Sequence, residues 1–200
     1  MSHSLFSPSS ISSLLSCQTQ LFVPENLGGE EDNAYTTEGT VAHNLIERCA
    51  ELGADPSSLV GTRDGGMPIT GEMAADAKLF LDEVARIVKA NPGAQTFHEV
   101  RLVHSIISEF GGTMDCLIVT EDDIFVLDFK FGAGISVEVE NNKQLLCYAM
   151  LALDEHGRRN IHLTVIQPRR PHHDGPVRHW SPTWADIEDF ADELIEGVMW

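Results

Sequence analysis

No stretch of this chain stays apolar for the ~18–20 residues that a bilayer-spanning helix requires, so membrane insertion is not expected. The opening MSHSLFSPSSISSLLSC has no basic cluster, and serines interrupt its apolar positions, which makes it a poor signal peptide and argues against secretion. Cysteine is scattered. Cys17, Cys49, Cys116 and Cys147 form no C-x-x-C pair, so a zinc ribbon or redox motif lacks support, and reduced thiols inside a cell are the simpler reading. Basic residues are also few: 13 Lys and Arg stand against 31 Asp and Glu, a net charge of −18. That is the wrong sign for a protein that coats nucleic acid by electrostatics alone. Internal repeats and low-complexity tracts are absent.

What is present fits a soluble globular domain. The 200 residues are 42% hydrophobic and 22% charged, with a mean hydropathy of −0.09, enough for one core. The bases are unevenly placed. Arg158, Arg159, Arg169, Arg170 and Arg178 meet only Asp174 between His156 and His179, a local face that could meet phosphate. An acidic helix over Trp184–Val198 follows.

Serines from Pro8 onward lead into a short amphipathic helix ending at Phe22, and Val23–Thr37 reads as loop. Helical spacing resumes at Val41, Leu45, Ile46 and Cys49, and a Gly- and Pro-rich loop spans Asp55–Gly71. Met73–Ala90 is a helix closed by Asn91-Pro92-Gly93. Three β-branched runs follow, Thr96–Ile107, Gly112–Thr120 and Ile124–Phe131. A helix over Glu140–Leu153 and a strand over Ile161–Gln167 come next, and Pro171, Pro176 and Pro182 impose loop before the last helix. The expected fold is α/β, a sheet core over about 95–168 with a helical N-terminal layer over about 8–92 and a C-terminal loop and helix over about 169–200, all one domain.

The most informative stretch is GGTMDCLIVTEDDIFVLDFKFG. A turn centred on Glu121-Asp122 places Asp115 opposite Asp128, where opposed Cβ atoms lie roughly 4.5–5.5 Å apart. Lys130 projects from the same face as Asp128. Leu117, Val119, Ile124 and Val126 should face one side of the sheet; Met114, Cys116, Ile118, Phe125, Leu127 and Phe129 should face the other, so the sheet is covered on both sides. Two carboxylates facing each other there are costly unless a cation holds them, and a hard divalent ion with oxygen ligands does so. Isolated, Asp128-Phe129-Lys130 is equally a salt bridge at a strand end. Upstream, His43 and Glu47 share one helix face; downstream, Gln144 and Tyr148 make a polar stripe on an apolar helix.

Together these residues resemble the PD-(D/E)XK nuclease superfamily in its RecB-like branch. The pattern there is a G-x-x-x-H-like helix, a G-x-x-D strand, a D/E-x-K strand and a Q-x-x-x-Y helix. Here these read GTVAH ending at His43, GTMD ending at Asp115, DFK ending at Lys130 and QLLCY ending at Tyr148. SPSSISSLLSC is similar to the S-x-S-x-L…C start of that branch, and EGTVAH, FGAGISVEVENNKQL and VIQPRR are similar to motifs of a phage and prophage family of unknown function.

The resemblance implies a restriction-endonuclease-like core, a mixed central β-sheet flanked by helices. It implies a metal-dependent deoxyribonuclease, an exonuclease of phage replication or recombination, in the host cytoplasm. His43, Asp115, Asp128, the carbonyl of Phe129 and Glu99 would hold Mg²⁺ or Mn²⁺. Asp115, Asp128 and Lys130 would be catalytic, with Lys130 activating water and stabilising charge on the phosphate. Gln144 and Tyr148 would orient the lysine or bind the strand backbone, and Arg169 and Arg170 would clamp phosphate. No cysteine cluster follows Cys147, so no iron–sulfur cluster is expected. Expected partners are DNA ends and a second copy or a recombination protein. The alternative is a non-catalytic nuclease-fold module that binds DNA or assembles a complex, against which stand the intact lysine and aspartates. His172-His173 has no well-spaced carboxylate beside it and reads as loop, and Trp180, Trp184 and Trp200 read as packing.

Overall fold

The computed structural model describes residues 7–9, 11, 15, 34–107 and 109–198. Of the expected helix over Pro8–Phe22 only Pro8, Ser9, Ile11 and Leu15 are among them; the rest of it, Cys17, the loop up to Asn33 and Trp200 lie outside the described residues.

Helix α1 (Ala34–Leu52) starts earlier than expected, inside the segment read as loop. Ala34 to Glu38 holds neither glycine nor proline, so nothing there halts a helix. Its buried stripe is Val41, Ala42, Leu45, Ile46 and Cys49, a three-four spacing that faces helix α2 (Gly71–Ala90). Thr70 caps α2 by accepting the Met73 N–H at 3.1 Å. The connection is not all loop. It holds a 3₁₀ turn over Pro56–Leu59 and a small antiparallel pair, β1 (Arg63–Asp64) with β2 (Met67–Pro68).

The main sheet runs β3 (Gln95–Val103), β4 (Gly111–Val119), β5 (Asp123–Phe129), β6 (Asn160–Ile166), β7 (Val177–Trp180), in that spatial order. All neighbours are antiparallel except β5 and β6, which are parallel. A parallel neighbour demands a crossover, supplied by helix α3 (Lys143–His156). The expected mixed α/β sheet flanked by helices is therefore present. Strand β7 was not expected, because Pro176 and Pro182 bracket it. Both prolines lie outside its four residues, and an edge strand tolerates such neighbours. His162 on β6 stitches this end, its ring nitrogens lying 2.8 Å from Ser181 Oγ and 3.1 Å from Asp123 Oδ1.

Two apolar layers cover the sheet. Leu117, Val119, Ile124, Val126, Leu163 and Val165 pack under α3 and the last helix, α4 (Trp184–Val198), which contributes Ile187, Phe190 and Leu194. Cys116, Ile118, Leu127, Phe129 and Ile166 pack under α1 and α2. Cys49, Cys116 and Cys147 are buried free thiols inside these layers.

The β4–β5 register is the expected one, from Val119 opposite Ile124 to Cys116 opposite Leu127. One side-chain assignment is corrected. Met114 lies with the α3 layer, not beside Cys116. Alternation inverts at the neighbouring Glu99 and Asp115, the one pair missing from an otherwise continuous β3–β4 ladder between Gln95 and Val103. Glu99 has φ +46°, a left-handed conformation uncommon outside glycine, and Phe97, Val100 and Leu102 consequently all face the α3 layer.

Gly112 opens the strand that carries Asp115. A Cβ there would sit 2.7 Å from Pro8 Cδ and 3.1 Å from a Tyr148 ring carbon, so only glycine lets all three close up. Gly112→Ala should destabilise the protein by about 1–3 kcal/mol, the usual cost of overpacking. Urea unfolding measures this, and an unchanged midpoint would show that Pro8 does not hold that seat.

Candidate active site

The β4–β5 ladder stops at Cys116 and Leu127, and the side chain of the next residue takes over. Asp115 Oδ2 accepts the Phe129 backbone N–H at 2.6 Å, which fixes the carboxylate against the end of β5. Its other oxygen lies 3.2 Å from His43 Nδ1 on α1. Glu99, turned inward by the kink in β3, brings Oε1 to 3.8 Å from the same nitrogen. One ligand atom from each of His43, Glu99 and Asp115 falls within 4.8 Å of the others. The His43 ring stands edge-on to Phe129, centroids 5.5 Å apart.

Asp128 stands outside that triad and is only 4% exposed. Lys130 Nζ lies 3.1 Å from its Oδ1 and 3.0 Å from its Oδ2, but Oδ2 receives no hydrogen bond. Burial pushes the Asp128 carboxyl up; Lys130 opposes this and Asp115 adds to it. Lys130 also donates to Gln144 Oε1 at 2.8 Å, and Gln144 Nε2 donates to the Tyr148 hydroxyl at 3.2 Å. Burial raises the Tyr148 pKa, so the phenol stays neutral. Gln144 and Tyr148 sit one turn apart on α3, and the tyrosine is buried at 6% exposure instead of lying along a solvated edge.

All of these groups line one cavity of about 670 Å³. Sequence reasoning missed several of its walls: Asn44, Gly134, Ile135 and Gln167. Gln167 had a signal, as an amide closing an apolar strand just before Pro168. Among the described lining residues Lys130 is the only Lys or Arg.

The arginine-rich segment does not form one basic face. Arg158 stacks on Trp184 at 3.9 Å, and Arg159 Nε donates to the Thr120 carbonyl at 3.0 Å. Arg178 is buried. Arg169 pairs with Glu38 at 2.9 Å and lies 4.6 Å over Phe131, beside the cavity with its charge already met; Arg170 is exposed. His172 and His173 do acquire a carboxylate, since Asp174 lies 3.1 Å from His173 Nε2. Both nitrogens of His172 are nonetheless occupied, one by the Asp174 N–H at 3.1 Å and one by Glu138 at 3.1 Å, as in a hydrogen-bonded turn.

The donor set suits a hard divalent cation. Carboxylates outnumber cations, one buried carboxylate oxygen has no hydrogen bond, and an imidazole completes a close oxygen-nitrogen triad.

Among proteins of known sequence family, the model of DUF2800, described as protein of unknown function, matches residues 3–198. Among solved structures, the chain is similar to a candidate exonuclease from Eubacterium rectale at 11% identity and TM-score 0.47, covering 90% of this chain and 69% of that one. It is similar to an alkaline exonuclease from Laribacter hongkongensis at 13% identity and TM-score 0.42, covering 98% and 88%. A structure of that exonuclease in complex with dAMP matches at 15% identity and TM-score 0.37, covering 84% of this chain and 80% of that one.

Burial works against a charged His43, but hydrogen bonds and charge from Asp115 and Glu99 outweigh it and push its pKa up to about 10 from 6.5. The folded metal-free protein thus holds a proton that the unfolded chain releases near 6.5. The stability this contributes is complete below that pH and is lost as pH rises toward 10. Urea midpoints in EDTA should fall between about pH 7 and 9.5, and His43→Ala should flatten the decline. An identical decline in the variant would assign it to other groups.

Proposed function

This chain belongs to the DUF2800 family of proteins of unknown function, and we propose that it is a metal-dependent deoxyribonuclease of PD-(D/E)XK type, an exonuclease of phage replication or recombination. The observation that carries the proposal is the pairing of Lys130 with a buried Asp128 whose Oδ2 has no hydrogen bond, beside the His43–Glu99–Asp115 triad. A purely structural salt bridge would not require two further carboxylates gathered against one imidazole beside it. The motifs shared with RecB-like exonucleases support action on DNA ends, in the host cytoplasm.

His43, Glu99, Asp115, Asp128 and the carbonyl of Phe129 would hold Mg²⁺ or Mn²⁺. Such an ion supplies Lewis-acid charge at the phosphate and acidifies water. The chain's own groups do the rest. Asp115 is held rigid by the Phe129 N–H. Lys130, positioned between Asp128 and Gln144, holds its ammonium in the cavity, where it orients the attacking water and stabilises negative charge developing on the phosphate. Tyr148 fixes Gln144 through its hydroxyl, so these two serve the lysine first and the substrate second. Arg169 would take phosphate by leaving Glu38, with exposed Arg170 beside it in sequence. A cavity with a single lining lysine grips duplex weakly, which favours a second copy or a recombination partner that supplies positive surface to one nuclease domain spanning the chain.

End-labelled linear and covalently closed DNA, single- and double-stranded, incubated with Mg²⁺, Mn²⁺ or EDTA tests this. Loss of linear DNA only, dependent on metal and reduced at least about 100-fold by Lys130→Ala and by Asp128→Ala, is the expected result. Cutting of circles would make it an endonuclease at the same site. No cleavage with either metal would overturn the catalytic reading in favour of a binding module.

A further inference from the structure

Beyond the catalytic groups, one wall of the cavity is a loop whose construction exceeds what a connection needs. The chain leaves β5 through Lys130 and Phe131, runs along the cavity as Gly132-Ala133-Gly134, and turns back through Ile135 to Val137. Ile135 is 88% exposed, the most exposed of the large hydrophobic residues described. A lone exposed isoleucine is ordinary on a protein surface. This one is not left to drift.

Gln167, at 2% exposure, grips the loop backbone from both sides. Its Oε1 accepts the Val137 N–H at 3.0 Å, and its Nε2 donates to the Ile135 carbonyl at 3.0 Å. Arg178, at 3% exposure, fastens that grip. Its Nη2 donates to the Val137 carbonyl at 2.9 Å and to Gln167 Oε1 at 3.0 Å. Its Nη1 donates to the Gly175 carbonyl at 2.9 Å. Every one of these acceptors is neutral, and Arg178 Nε has no partner at all. Burying a guanidinium without a carboxylate is costly, and here the charge is spent on holding a surface loop in one shape. Gly132 and Gly134 line the cavity ahead of Ile135 in the chain, and a Cβ at Gly134 would meet nothing within 4 Å. The loop presents an exposed apolar side chain beside two residues that take up no side-chain space.

We infer that Ile135 is a substrate-discriminating contact, its side chain packing against the base of a nucleotide adjoining the scissile phosphate. This rests on the nuclease reading and deepens it. The polar side chains of the cavity are carboxylates, amides, two hydroxyls, one imidazole and one ammonium, which suit a cation and a phosphate. A branched aliphatic group suits neither; it matches the flat apolar face of a nucleobase, a contact that is sequence-tolerant because every base has one. Gln167 and Arg178 are positioning residues, which pre-set the loop so that binding orders little.

The test pairs deletion of the side chain with deletion of the base. Single-stranded oligonucleotides, intact or with an abasic residue on either side of the cleaved bond, are digested by wild type and by Ile135→Ser and Ile135→Phe. Binding of labelled oligonucleotide is measured by anisotropy alongside, in EDTA and in Ca²⁺. Wild type should show a KM about five-fold lower on the intact strand than on the abasic one at one of the two positions, with similar kcat. Ile135→Ser should raise KM on the intact strand by that factor and no longer distinguish the two, while Ile135→Phe keeps the preference. Because Ile135 is exposed, the Ser variant should unfold at the wild-type urea midpoint. If wild type cleaves and the Ser variant retains its preference, this inference falls and the nuclease reading stands. If wild type neither cleaves nor binds DNA, both fall.

Discussion

The site depends on one hydrogen bond, from the Phe129 N–H to the Asp115 carboxylate. Where two antiparallel strands would go on exchanging backbone bonds, a side chain closes the ladder instead. This substitution holds a charged group at the sheet without leaving the Phe129 N–H bare. It also turns Asp115 toward His43, and it coincides with the inversion at Glu99, whose left-handed backbone sends a third polar group the same way. Both faces of the sheet are then left largely apolar, and His43, Glu99 and Asp115 gather where the β4–β5 ladder stops.

Much of this was legible in the chain. Centring the turn on Glu121-Asp122 is an assumption, since strands apolar on both faces do not fix a register by alternation, and the β4–β5 ladder has the register it implies. The helical stripe of Leu79, Phe80, Val84, Ile87 and Val88 defined α2, in which Phe80, Val84 and Ile87 are buried. What could not be read has identifiable causes. Met114 follows an alternation that is broken by a φ value, and no residue type announces a left-handed glutamate. Strand β7 hides between prolines that lie just outside it. The arginines looked like a face because they are close in sequence; the fold sends Arg158 to Trp184, Arg169 to Glu38 and Arg178 into the interior. Proximity along a chain that reverses direction between them says little about a shared surface.

Charge is distributed with a purpose that the total conceals. A net charge of −18 repels a polyanion at long range, and six of the 31 acidic residues lie on α4, which contributes none of the cavity-lining residues. Within the cavity carboxylates outnumber the one lysine, a balance that suits a divalent cation. His43 is the proton-binding member of the triad, and its imidazolium answers the Asp115 and Glu99 carboxylates beside it.

Pro8 and the Tyr148 ring close on Gly112 from earlier and later parts of the chain, behind the side chains that support Lys130. Pro8 is not among the cavity-lining residues, but it and the Tyr148 ring flank Gly112, and Tyr148 anchors Gln144, which anchors Lys130. Displacing Pro8 would therefore unpack Gly112 and, beside it, the ring whose hydroxyl holds Gln144, so a residue outside the cavity is coupled to Lys130 by packing alone.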